Sequence, residues 1–127
     1  MIKSFERHTN RLTDFERKEI LPKVVTILSN RIGRDKALKN GTIVGMLDNA
    51  ITPPDMRKII NYIRRSGLVK GLVANSTGYY VAESEQDLIE YEQSLKGRER
   101  AIREVRMSIR KQRKDMYGTK LLRGRYK

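Results

Sequence analysis

The first hydrophobic pattern in the chain is helical. Phe15, Ile20, Leu21, Val24, Ile27 and Leu28 recur at a spacing that predicts an amphipathic helix with one buried face. Its start is marked by Thr13-Asp14-Phe15-Glu16, a capping-box sequence in which hydroxyl and carboxylate each satisfy a backbone amide left over at a helix end. Pro22 removes an amide donor from the run, so a bend or a break into two pieces is expected there. Residues 33–41 (GRDKALKNG) are polar and glycine-bounded, and read as a connection. A short helix from Thr42 to about Asn49 follows, with Ile43, Met46 and Leu47 facing inward, and then a turn at Ala50-Ile51-Thr52.

Thr52-Pro53-Pro54-Asp55 is a strong helix start: a capping hydroxyl, prolines where no amide is missed, and a carboxylate near the positive end of the helix. Met56, Ile59, Ile60 and Ile63 then form one apolar stripe, and Gly67 stands where a left-handed C-terminal cap belongs. Two β-prone runs, Leu68 to Ala74 and Tyr79 to Ala82, flank the turn cluster Asn75-Ser76-Thr77-Gly78 and predict a hairpin. Of Tyr79 and Tyr80, one should be core and the other partly exposed. Ser84 to Asp87 again has a capping form, and no proline follows, so a long helix is expected to about Met116 with Gly97 as its weak interior point. The fold class is therefore mainly α with a small β-hairpin. The segments are a basic N-terminal arm over 1–12, a domain over 13–82, a long charged helix over 83–117 and a basic tail over 118–127.

Charge changes this picture from a generic helical domain to one with a polyanionic partner. Lys and Arg number 28 against 15 Asp and Glu, a net charge of +13. Residues 1–82 carry 15 basic and 7 acidic side chains, 83–95 none and 5, and 96–127 carry 13 and 3. The long helix is thus bipolar, in the sense that agrees with its dipole, and one reading of it is a plain solvated helix. The other is a second phosphate-binding surface carried by Arg103, Arg106, Arg110 and Arg113 with the neighbouring basic residues Arg98, Arg100, Lys111 and Lys114 and the tail residues Lys120, Arg123, Arg125 and Lys127. Leu88, Leu95, Ile102, Ile109 and Met116 are spaced by seven, with Tyr91 and Val105 at the companion position, while Arg98 and Gln112 interrupt that row. This seam either packs on the chain's own domain or serves as a homodimer interface, for which antiparallel pairing sets acid against base.

Taking the isoleucine stripe as buried, steps of 100° put Pro54, Lys58, Asn61 and Arg65 on the opposite face, with Arg57 and Tyr62 beside them. These side chains suit DNA: Asn pairs with adenine, Arg with guanine or phosphate, Lys with phosphate, and Tyr lends a hydroxyl to the backbone. An ordinary solvated outer face is the bland alternative, and the excess of Arg57, Lys58, Arg64 and Arg65 over Asp55 argues against it. In the hairpin, Lys70, Asn75, Ser76 and Thr77 are candidates for phosphate or minor-groove contact, and the last three equally suit a hairpin tip.

Residues 13–82 resemble the winged helix-turn-helix superfamily in the order and spacing of helix, short helix, turn, helix and hairpin, with residues 51–82 (ITPPDMRKIINYIRRSGLVKGLVANSTGYYVA) carrying most of the likeness. The resemblance implies a DNA-binding module of the kind found in phage and bacterial regulators and replication proteins, its third helix in the major groove and its hairpin, the wing, on the flanking backbone. Pro22 and the long link from Arg31 to Gly41 depart from a minimal module. The expected function is binding of double-stranded DNA in transcription regulation or DNA replication, with an RNA binder or a protein-interaction adaptor docking through the long helix as alternatives.

Catalysis finds little support. Cys is absent, which removes disulfides, thiolate zinc sites and cysteine nucleophiles. His8 is the sole histidine and falls in the arm, and no calcium loop, phosphate loop or dinucleotide fingerprint is found. No enzyme activity, cofactor or metal site is expected. Without a signal-peptide pattern or an apolar run of membrane-spanning length, the expected location is the cytoplasm of a bacterial or phage-infected cell, with no membrane partner.

Overall fold

The structure, a computed structural model, describes residues 11–125, and side chains as far as residue 118. The arm residues Lys3, Arg7 and His8 and the tail residue Lys127 lie outside the described residues, and Lys120, Arg123 and Arg125 lie beyond the last described side chain. The chain divides into two compact units, one up to Leu88 and one from Ile89 onward.

The first unit begins with the capping box. The Thr13 amide donates to Glu16 Oε1 at 2.8 Å, and the Glu16 amide donates to Thr13 Oγ1 at 3.1 Å. Helical backbone runs through Pro22 without the break that was one of the two expected outcomes: Glu16–Ile20 is a π-helical turn, in which the Leu21 amide donates to the Glu16 carbonyl five residues back, and α1 (Leu21–Ser29) follows directly with Pro22 in its first turn. Lengthening the hydrogen-bond step ahead of Pro22 makes room for a ring that cannot donate. Val24 and Leu28 are fully buried, and Ile20 nearly so. Phe15, expected inward, is instead 51% exposed, because the position one turn before Ile20 is Glu16, and it is Glu16 that enters the core. Leu12, assigned to the arm from sequence, is buried.

Residues 31–38 do more than connect. They hold a 3₁₀ turn (Arg34–Lys36) and lie along one edge of the hairpin: Leu38 and Tyr79 exchange two backbone hydrogen bonds at 3.0 and 2.8 Å, and Ile32 bridges to Val81. Helix α2 (Asn40–Met46) starts and stops earlier than the sequence pattern suggests, and the chain reverses through Asp48 and Asn49, both in left-handed conformation. Ile43 and Val44 are buried and Leu47 packs on the core, but Met46 is exposed, since the inward face of this short helix is the 43/44/47 edge.

Helix α3 (Pro53–Ser66) matches its start and stop signals. Thr52 caps it by accepting from the Asp55 amide, and Gly67 ends it at φ 76°, donating to the Ile63 carbonyl. Met56, Ile59, Ile60 and Ile63 are all essentially inaccessible and form the centre of the core with Val24, Leu28 and Ile43. The hairpin β1 (Leu72–Asn75) and β2 (Gly78–Val81) pairs antiparallel in the register Leu72 to Val81 and Asn75 to Gly78. Tyr80 is buried, and Tyr79 is half-buried against the core.

The last element, α4 (Glu85–Arg125), is capped reciprocally: the Asp87 amide donates to Ser84 Oγ, and the Glu83 amide to the Asp87 carboxylate. Helical backbone continues past the expected end near Met116, interrupted at Gly118, whose φ of 72° and ψ of −177° are non-helical. The described chain is thus mainly helical with one small antiparallel hairpin and a long C-terminal helix. Among the described residues, no helix is long and apolar enough to cross a membrane.

Candidate nucleic-acid interface

Burying the Met56/Ile59/Ile60/Ile63 stripe fixes which side of α3 is offered outward, but the flanks are not equivalent. On one flank the start of the first helix closes over α3. Lys58 Nζ lies 2.9 Å from Glu16 Oε1, with its side chain only 16% exposed and that of Glu16 5%; Asp55 stands 3.9 Å away on the same side. Tyr62, one turn on, packs against the core. Burial by itself would push the Glu16 carboxyl up, but the Thr13 backbone amide, the Lys58 ammonium and the Thr13 hydroxyl outweigh it and hold the group below its ordinary range. Lys58 therefore serves as internal counterion to a buried carboxylate, a role that the periodicity of α3 alone does not reveal.

The other flank is open. Arg57 and Arg65 are exposed, and Asn61 between them is half-buried. Arg64 Nη2 donates to Asn61 Oδ1 at 3.1 Å. That bond orients the Asn61 amide group and uses one lone pair of its oxygen, leaving the second lone pair and both N–H donors, the set that adenine recognition needs. The outward set of α3 is thus Arg57, Asn61 and Arg65, with Arg64 as a positioning partner that sequence reasoning did not assign.

The hairpin tip is rigidly tied. Asn75 Oδ1 accepts from the Thr77 amide at 2.9 Å and from its hydroxyl, while Asn75 Nδ2 donates to the Tyr80 hydroxyl at 3.0 Å. Asn75 is consumed in holding the turn, whereas Ser76, Thr77 and Lys70 are exposed. Lys39 Nζ reaches the Ser76 carbonyl at 3.4 Å, adding a cation at the tip. Its only sequence signal was membership of the polar link, and it is the pairing of Leu38 with Tyr79 that brings it there.

In the second unit Arg103, Arg106 and Arg110 are exposed and Arg113 is partly covered. At 100° per residue all four fall in a sector of about 80°, one basic stripe. Among the described residues no cluster of His, Cys, Asp or Glu is arranged to hold a metal ion. Against known protein families, curated proteins and solved structures, the chain has no match.

Proposed function

We propose that the protein binds double-stranded DNA through a winged helix-turn-helix domain, with α3 as the recognition helix in the major groove and the β1–β2 hairpin as the wing on the flanking backbone. The carrying observation is the division of α3 into a sealed isoleucine face and an open face bearing Arg57, Asn61 and Arg65. The order of three helices and a hairpin, the strand-like pairing of Leu38 with Tyr79 and the net charge of +13 support the same reading. Arg57 and Arg65 take phosphate or guanine, Asn61 takes adenine, and Lys39, Lys70, Ser76 and Thr77 meet phosphate at the wing. In the α4 stripe Arg103 and Arg110 add sequence-independent affinity. The biological role this fits is regulation of transcription or organisation of replication on phage or bacterial DNA.

The test is a titration of labelled duplex DNA, and of duplex RNA of equal length, at several salt concentrations. Tighter binding to DNA, falling steeply with salt at about 0.9 in log–log slope per phosphate contacted, is the expected outcome. Preference for RNA, or affinity that does not respond to salt, overturns it.

A further inference from the structure

The α4 sequence encodes more than charge. Within residues 88–116 the seam positions are Leu88, Tyr91, Leu95, Arg98, Ile102, Val105, Ile109, Gln112 and Met116, seven of nine being apolar. Ile102, Val105, Ile109 and Met116 are each more than half exposed, with Ile102 at 68% and Val105 at 63%. A stripe of this kind, on a helix this long, is what a coiled-coil partner covers. Ile89, Met107 and Tyr117 are exposed off the stripe, but no second row joins them.

The positions flanking the seam identify the partner. The residue following each companion position is, in order, Glu92, Glu99, Arg106 and Arg113: two acids, then two bases. In an antiparallel pair these positions face one another across the seam. A register that sets Ile102 against Val105 of a second copy brings Glu92 beside Arg113 of that copy and Glu99 beside Arg106, and the twofold axis repeats both pairs. The same register stacks Tyr91 on Met116, Leu95 on Gln112 and Arg98 on Ile109, so each polar seam residue meets an apolar one that its stem can cover. The opposite flank, Ser94, Ala101, Ser108 and Asp115, is small and nearly neutral. A parallel pair instead sets Glu92 against Asp87 and leaves Glu99, Arg106 and Arg113 facing Ser94, Ala101 and Ser108, so none of these four charges meets an opposite one.

We propose that α4 is a homodimerisation helix that pairs antiparallel with a second copy of this chain, centred between residues 103 and 104, through the Tyr91 to Met116 seam and four Glu–Arg contacts. The inference stands on residues 91–116 alone and does not depend on DNA binding.

The absence of native cysteine makes the test clean. Ser94 and Asp115 are exposed and flank the seam, so Ser94→Cys and Asp115→Cys should both fold. In the proposed register, position 94 of one copy adjoins position 115 of the other, while the two copies of position 94 are about 30 Å apart at 1.5 Å per residue. Under mild oxidation of the full-length protein, mixed Ser94→Cys and Asp115→Cys chains should give a 94–115 disulfide, and neither variant alone should crosslink. Glu92→Arg with Glu99→Arg should weaken the dimer roughly tenfold or more in sedimentation equilibrium. Adding Arg106→Glu and Arg113→Glu in a second, otherwise unaltered chain and mixing the two should restore it. Efficient 94–94 disulfides from Ser94→Cys alone, or a wild-type monomer at tens of micromolar, overturn the proposal.

Discussion

Lys58 Nζ and the Thr13 amide share a single oxygen, Glu16 Oε1, at 2.9 and 2.8 Å. One carboxylate thus caps the start of the first helix and pins the flank of α3, so that helix start and the proposed reading head are one mechanical unit. Removing Lys58 leaves a buried carboxylate without its counterion, and Lys58→Met should cost roughly 3 kcal/mol in chemical denaturation. Glu16→Gln, whose amide oxygen still accepts from Thr13, should cost less, and the double variant should recover part of the Lys58→Met loss.

The same contact sets a pH dependence. Glu16 is held below its ordinary range in the folded protein, so its contribution is present once pH exceeds the unfolded-state value and is lost as pH falls through the lowered folded value. Thermal unfolding followed by circular dichroism should show the wild type losing more melting temperature on acidification than Glu16→Gln; parallel curves for the two would contradict it.

Arg57→Ala and Arg65→Ala should each weaken binding to all duplexes and lower the salt slope by about 0.9, if each meets one phosphate, with melting temperature unchanged. Asn61→Ala should instead relax preference for the selected base at one position, at about 1–3 kcal/mol of discrimination, in sites selected from a random duplex pool. Arg64→Ala should resemble Asn61→Ala more than Arg57→Ala, because Arg64 acts by orienting the Asn61 amide.

Gly78 has φ of 125°, and a Cβ there would stand 2.5 Å from the Leu38 carbonyl oxygen. Gly78→Ala combines a disfavoured backbone with a clash against main chain that is itself hydrogen-bonded, and should cost about 2 kcal/mol or more. Nuclear magnetic resonance should locate the change at Leu38, Lys39 and the hairpin, leaving α4 unaffected.

Thr13 with Glu16, Thr52 with Asp55, and Gly67 were legible in the sequence because caps are local: three or four adjacent residues contain the whole interaction. The hairpin was legible for the same reason. What crosses the chain was not. Leu38 is the one large apolar residue in a polar run, so nothing near it announces a partner 41 residues on. Helical phase correctly put Lys58 opposite the isoleucines, yet phase is silent on what another element lays across that face, and Glu16 does so. Phe15 misled because hydrophobicity outweighed phase: counting one turn back from Ile20 reaches the glutamate. Met46 misled because α2 is too short for a stripe to define itself.

β2 is enclosed by β1 on one side and by residues 31–38 on the other, which leaves the outer margin of β1 as the hairpin's one unfilled ladder among the described residues. That margin is four residues long and is preceded by Lys70 and Gly71. So brief a template, guarded by an ammonium group, offers little to an incoming strand, and fibril-like stacking of this molecule through its sheet is accordingly disfavoured.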